Sequence, residues 1–150
     1  MKTAFRRFAI LGVALVACVV AFAAFAPDAL ADNDQISAWP LGTHTTSAAG
    51  VEKTNWTHRG VKLHIDVDAV VGGGSVDVKV QTKDPVSGTW VDLTSASTGA
   101  DTAGTTELTI YPGIAETANV SISDVLPKTW RVYATIVTSA TFSVGASYID

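Results

Sequence analysis

The sequence is short of the side chains that most often carry out chemistry. It holds one cysteine, Cys18, and three histidines, His44, His58 and His64. Because Cys18 lies in the amino-terminal apolar segment, the rest of the chain has no disulfide, no thiolate nucleophile and no cysteine metal site. No Gly-x-Ser-x-Gly elbow or other catalytic signature accompanies the histidines, which argues against an enzyme. Helical spacing is missing too: outside the amino terminus no window of a dozen residues has apolar side chains at a period of 3.6, and no repeat marks a solenoid. Basic residues are few. Setting aside Lys2, Arg6, Arg7 and Asp28 lowers the chain's 10 basic and 14 acidic residues by three and one, a balance of about −6. Nucleic acid, which selects for a basic patch, is therefore not an expected partner.

What is present begins with a targeting pattern. Met1 to Ala31 has a basic start at Lys2, Arg6 and Arg7, an apolar run from Phe8 to Ala26, and Ala29-Leu30-Ala31 as a small-x-small cleavage site. An export signal is the favoured reading. The run is about 19 residues long, enough for an uncleaved anchor. Leu15-Val16-Ala17-Cys18 has the form of a lipoprotein box, but cleavage there would leave an apolar tail from Val19 to Ala26. Contact with a membrane is thus expected only through residues 1–31, and only if they are retained.

The 150 residues suffice for one domain with a core. Residues 32–46, DNDQISAWPLGTHTT, read as a polar leader or arm, broken by Pro40 and Gly42. A β-rich domain follows over residues 47–150, with a weak first strand somewhere between Ser47 and Arg59. Its centre is Val61 to Gln81, VKLHIDVDAVVGGGSVDVKVQ. Successive strand side chains point to opposite faces, so Val61, Leu63, Ile65 and Val67 share one face and Lys62, His64, Asp66 and Asp68 the other. Val76, Val78 and Val80 repeat the inward set. Gly72-Gly73-Gly74 between them reads as the turn of an antiparallel hairpin.

Thr82 to Gly88 is a turn by its chemistry. Thr89 to Leu93 reads as a strand with Trp90 and Asp92 on one face. Ser95 to Thr105 carries almost no large apolar side chain and is expected to be a mobile loop. Further strands are expected at Glu107 to Tyr111, around Val120 and Ile122, at Trp130 to Ile136 and at Phe142 to Tyr148. Six to eight short strands separated by turn signals predict an all-β fold, a single antiparallel β-sandwich of immunoglobulin-like or jelly-roll-like type.

Candidate sites are sparse. His64, Asp66 and Asp68 share a strand face, but residues two apart in a strand lie about 7 Å apart, too far for all three to grip one ion unaided. They read as a solvent face, and a metal-dependent hydrolase is the least favoured function. No cofactor is expected. Four tryptophans, Trp39, Trp56, Trp90 and Trp130, offer aromatic surface of the kind that stacks on sugars. For Trp90 and Trp130, inside alternating strands, core packing or an interface is the default. Trp56, Arg59, Trp90 and Trp130 are the candidate interaction residues. Asn55-Trp56-Thr57 and Asn119-Val120-Ser121 satisfy the glycosylation sequon, a pattern short enough to arise by chance.

An ordered series, NWTHRG at Asn55 to Gly60, QTKDPVSG at Gln81 to Gly88, IYPG at Ile110 to Gly113, DVLPKTWRV at Asp124 to Val132 and SVGA at Ser143 to Ala146, resembles a group of small β-rich virion structural or head-decoration-like proteins of tailed bacteriophages. The resemblance covers the chain from about Ser47 to its end. It implies a non-enzymatic building or decorating unit, bound to copies of itself or to a capsid or envelope lattice, with no catalytic residues to carry over. A homo-oligomer is expected. The export segment sits awkwardly with a capsid assembled in the cytoplasm, and leaves a cell-envelope role beside the virion role. The alternative is a secreted carbohydrate-binding module with Trp56 and Trp90 as stacking platforms.

Overall fold

A computed structural model describes residues 34–150; the expected export or anchor segment, residues 1–31, lies outside the described residues. The described part is all-β. It comprises β1 (Gln35–His44), β2 (Ala48–Ala49), β3 (Lys53–Thr54), β4 (Gly60–Lys83), β5 (Trp90–Ser97), β6 (Gly104–Ile110), β7 (Ser121–Ile122) and β8 (Thr129–Ile149). They form one eight-stranded sheet in the order β1-β8-β4-β6-β7, with β2 and β3 on β8 and β5 on β4. The sheet is mixed rather than wholly antiparallel, since β7 runs parallel to β6 through Thr109↔Ser121 and Ile110↔Ile122.

The glycine triplet does not close a hairpin. β4 is one strand of 24 residues, and both of its halves pair with β8, from Gly60↔Ile149 to Thr82↔Trp130. The two strands expected at the end of the chain are likewise the two halves of β8. Between Val71↔Ser139 and Ser75↔Val137, Gly72, Gly73 and Gly74 stand opposite Thr138 alone. This is a bulge, which bends a strand and raises its twist. Gly72 and Gly73 take positive φ of 64° and 72°, and Thr138 across the ribbon takes 72°. Gly74 is needed for a different reason: a Cβ there would lie 2.3 Å from the Val137 carbonyl oxygen.

The β4–β8 ribbon doubles back, and this bulge, with a second register shift between Val67 and Ala69, lies near its middle. A straight strand from Trp130 to Tyr148 would span about 60 Å at roughly 3.3 Å per residue, yet the two rings meet edge to face with centroids 6.0 Å apart. The backbone of Arg59 ties the end of β8 to the segment that precedes it. Its N–H donates to the Ile149 carbonyl at 2.9 Å, and its carbonyl accepts from the Leu126 N–H at 3.0 Å.

Doubling back brings the apolar faces of both halves into one cluster. Val61, Leu63, Ile65, Val76, Val78 and Val80 are fully buried and Val67 nearly so, in company with Leu108, Ile110, Trp130 and Phe142. The alternation therefore assigned these faces correctly. Each such side chain contributes about 1.5–3 kcal/mol by leaving water.

Two segments read as irregular are built into this sheet. Residues 35–44 of the expected leader are β1, paired with β8 from Gln35↔Ser147 to His44↔Ala140. Pro40 falls at the register break between Trp39 and Gly42 on an edge strand, where a missing N–H costs nothing. Ala38 and Trp39 are buried, and the Trp39 Nε1–H donates to His44 Nε2 at 3.0 Å. The expected mobile loop from Ser95 is also corrected, because β5 continues to Ser97 and Ala96 and Thr98 are buried. Thr98 is held by polar bonds rather than apolar mass: its N–H donates to the Val78 carbonyl at 3.0 Å, and its Oγ1 accepts from the Val78 N–H at 3.1 Å. The weak strand expected between Ser47 and Arg59 resolves into β2 and β3, and the turn at Thr82 to Gly88 is present, closed by Gly88 N–H to the Asp84 carbonyl at 2.9 Å.

Candidate interaction surface

The outward face around the C-terminal half of β4 carries a ladder of long polar side chains. Lys79, Gln81 and Lys83 alternate with the buried valines, β8 adds Arg131, and β5 adds Trp90 and Asp92 through the pairs Lys83↔Trp90 and Gln81↔Asp92. Arg131 lies across the Trp90 ring, its Cζ 4.1 Å from the centroid, and Lys83 Nζ approaches the same ring at 5.5 Å. Arg131 Nε donates to Gln81 Oε1 at 2.8 Å, and Gln81 Nε2 donates to Asp92 Oδ1 at 2.7 Å. Lys83 Nζ donates to Glu52 Oε2 at 2.8 Å. The guanidinium is thus held over the indole by one of its five N–H groups, and its Nη donors have no hydrogen-bond partner among the described residues. A cation over a half-buried indole such as Trp90 is worth about 0.5–1 kcal/mol, more when a partner removes water.

The second tryptophan stands in the loop after β3. Trp90 pairs with Lys83, Thr82 with Trp130 and Thr129 with Thr54. Three interstrand steps of about 4.8 Å therefore separate Trp90 from the segment leading into Trp56. Trp56 is 77% exposed, with Lys128 Nζ 4.8 Å from its ring centroid. Asn55 fixes the loop. Its Oδ1 accepts from the His58 N–H at 3.0 Å, and its Nδ2 donates to the carbonyls of His58 at 2.7 Å and Leu126 at 3.2 Å. With its amide committed and its side chain buried, Asn55 is no glycan acceptor.

The remaining candidates divide. Arg59 lies against Tyr111, with Cζ 5.4 Å from the ring, beside His58, which stacks on Tyr148 at 4.6 Å and bonds Asp150 through Nδ1 at 2.6 Å. Trp130 is fully buried, so its candidate role at a surface is withdrawn and core packing, the default for that residue, applies. Its ring meets that of Tyr148 edge to face. Burial also raises the Tyr148 hydroxyl above the usual tyrosine value of 10.0.

His64, Asp66 and Asp68 do not converge. His64 Nδ1 lies 3.1 Å from Glu107 Oε1, and Lys62 Nζ lies 2.6 Å from Glu107 Oε2. The Lys62 ammonium, with His64 adding to it, holds the Glu107 carboxyl below its ordinary value. Asp66 accepts from Thr105 Oγ1 at 3.1 Å. Among the described residues no three His, Cys, Asp or Glu are placed to share a metal ion.

Sequence reasoning missed Lys83, Lys128 and Arg131. The alternation extends only to Gln81 and Lys83 fell within the expected turn, so only cross-strand register brings Arg131 and Lys83 over Trp90. No family model and no curated protein matches the chain.

Proposed function

We propose that the chain is a non-enzymatic structural protein that works by self-association or by attachment to a larger assembly, as the resemblance to phage virion proteins implies, exported or membrane-associated through residues 1–31. We infer further that the doubled-back sheet is a β-sandwich of two packed faces. The observation that carries the functional reading is the pairing of Arg131 with Trp90. Tryptophan and arginine are the residues most enriched where protein partners gain affinity, and a guanidinium already held over a ring loses little freedom when it meets a carboxylate. Trp56 under Lys128 extends the same chemistry across the end of the sheet.

The edges of the sheet favour a face over strand addition as the means of association. β1 carries Pro40, two register shifts and the Lys53 ammonium, which donates to the Ser37 carbonyl at 2.8 Å. β5 is bulged, and β2, β3 and β7 have two residues each. Such edges resist pairing with another chain. Cations already lie against Trp56 and Trp90, which supports the reading of a protein partner ahead of the carbohydrate-binding alternative.

Sedimentation velocity over a range of concentrations tests the reading, together with co-sedimentation with particles or envelope from the source. Wild type should associate, and Trp90→Ala or Arg131→Ala should weaken association by about 2 kcal/mol or more, near thirtyfold. A strictly monomeric protein with no affinity for either material would overturn it.

A further inference from the structure

Between β5 and the segment from Glu116 to Ile122 lies a cleft of about 370 Å³, within the range that holds small ligands. One wall is β5 at Ser95 and Ser97, the other is the segment from Glu116 to Asn119, and Ile122 lines it as well, almost fully buried. Both walls depart from regular backbone, independently and at the same place. Between Asp92↔Gln81 and Ser97↔Lys79, β5 uses three more residues than β4, a bulge that carries Ser95 at φ 62°. Across the cleft Asn119 takes φ 62°. These are two of the three non-glycine residues with positive φ among the described residues. Gly99 makes room for the second, since a Cβ there would meet the Asn119 Nδ2 at 2.9 Å. Bulges re-aim side chains, and strained residues persist where surrounding structure over-determines them.

The polar groups of the cleft fall into two sets. Two hydroxyls are committed: Ser97 Oγ donates to Asp77 Oδ1 at 2.6 Å and accepts from the Gly99 N–H at 3.1 Å, and Ser121 Oγ donates to the Ala115 carbonyl at 2.7 Å. The Ser95 hydroxyl, the Glu116 carboxylate, the Thr117 hydroxyl and the Asn119 amide have no hydrogen-bond partner among the described residues. Together they offer a strong acceptor, two amide donors and two hydroxyls that can do either. The cleft is lined by no Lys, Arg or His, so an anion has nothing to bind. It holds no aromatic ring for a planar base, and a single carboxylate is too few hard ligands for a calcium site.

We propose that this cleft binds a neutral polyhydroxylated ligand, such as one sugar unit, with its hydroxyls on Ser95, Glu116, Thr117 and Asn119 and its C–H face on Ile122. This is a ligand site separate from the surface around Trp56 and Trp90, and it does not depend on self-association.

Backbone amide NMR of the protein made from its full sequence, titrated to millimolar glucose, galactose, mannose and N-acetylglucosamine, is the test. At least one sugar should shift amides within Ser95–Gly99 and Glu116–Ile122. Asn119→Gly keeps the left-handed backbone but removes the amide, and Glu116→Gln removes the charge at an exposed position. Each should weaken binding by about tenfold, the worth of one hydrogen bond involving a charged or well-placed partner, while Trp56→Ala and Trp90→Ala should not. No shift in either segment with any of the sugars, shifts that follow the tryptophans instead, or the same shifts from calcium alone would overturn the proposal.

Discussion

Replacing Gly74 by alanine should damage the protein more than replacing Gly73, although Gly73 has the more unusual backbone. At Gly73 the φ of 72° is unfavourable to any residue with a Cβ, but nothing lies within 4 Å of where that Cβ would sit. The cost is then the left-handed penalty alone, about 1–2 kcal/mol. At Gly74 an added Cβ would lie 2.3 Å from the Val137 carbonyl oxygen and 3.0 Å from that of Val71. Both obstacles are backbone. The bulge can relieve them only by pulling β4 away from β8, which breaks the pairing on which both halves of the sheet depend. Overpacking of this kind costs about 3 kcal/mol or more, a large part of the 5–15 kcal/mol typical of a domain. Guanidinium unfolding followed by tryptophan fluorescence measures both. A tight hairpin turn would reverse the order, with Gly73 critical and Gly74 indifferent. Equal or smaller loss at Gly74 would refute the bulge as the reason for the triplet.

Ile65→Asp should abolish folding, because it buries an unpaired charge at a fully buried site, whereas Asp66→Ala, exposed and one residue on, should stay within about 0.5 kcal/mol by the same unfolding assay. Asn55→Ala should cost about 2–3 kcal/mol, since it orphans the buried Leu126 carbonyl along with the His58 backbone groups, and should raise the mobility of Trp56 in fluorescence anisotropy. Tyr148 is held neutral by burial, so its folded pKa lies above its unfolded one. Its contribution is full below about pH 10 and is lost as pH rises through the folded value. Denaturation between neutral and strongly alkaline pH should show this decline in the wild type and a weaker one in Tyr148→Phe.

Much of the core could be read from the chain. Alternation in Val61 to Val67 and Val76 to Val80 reports which side chains are inward, whatever partner the strand has. It does not report the partner. A glycine triplet satisfies a hairpin turn and a bulge equally, and the choice is made by β8, more than 50 residues away in sequence, whose Thr138 bends with it. Polar, proline-bearing β1 looked irregular because an edge strand tolerates what a central strand forbids. Ala96 and Thr98 escaped notice because small side chains can be buried without apolar periodicity. The same limit applies to the surface. Trp56 and Trp90 were visible as residues, but the cations above them come from β4, β8 and the segment before β8, and only the folded register brings them together.

The doubling back of β4 and β8 underlies the core and the surface bearing Trp56 and Trp90 alike, and one distance reports it. Spin labels on cysteines placed at Lys128 and Asp150, with Cys18 replaced, would be measured by double electron–electron resonance. A doubled-back ribbon predicts a separation under about 25 Å, since the Trp130 and Tyr148 rings, two residues inside the labelled positions, have centroids 6.0 Å apart and the label arms add to that. A single population near 70 Å, the length of a straight strand at about 3.3 Å per residue, would contradict it.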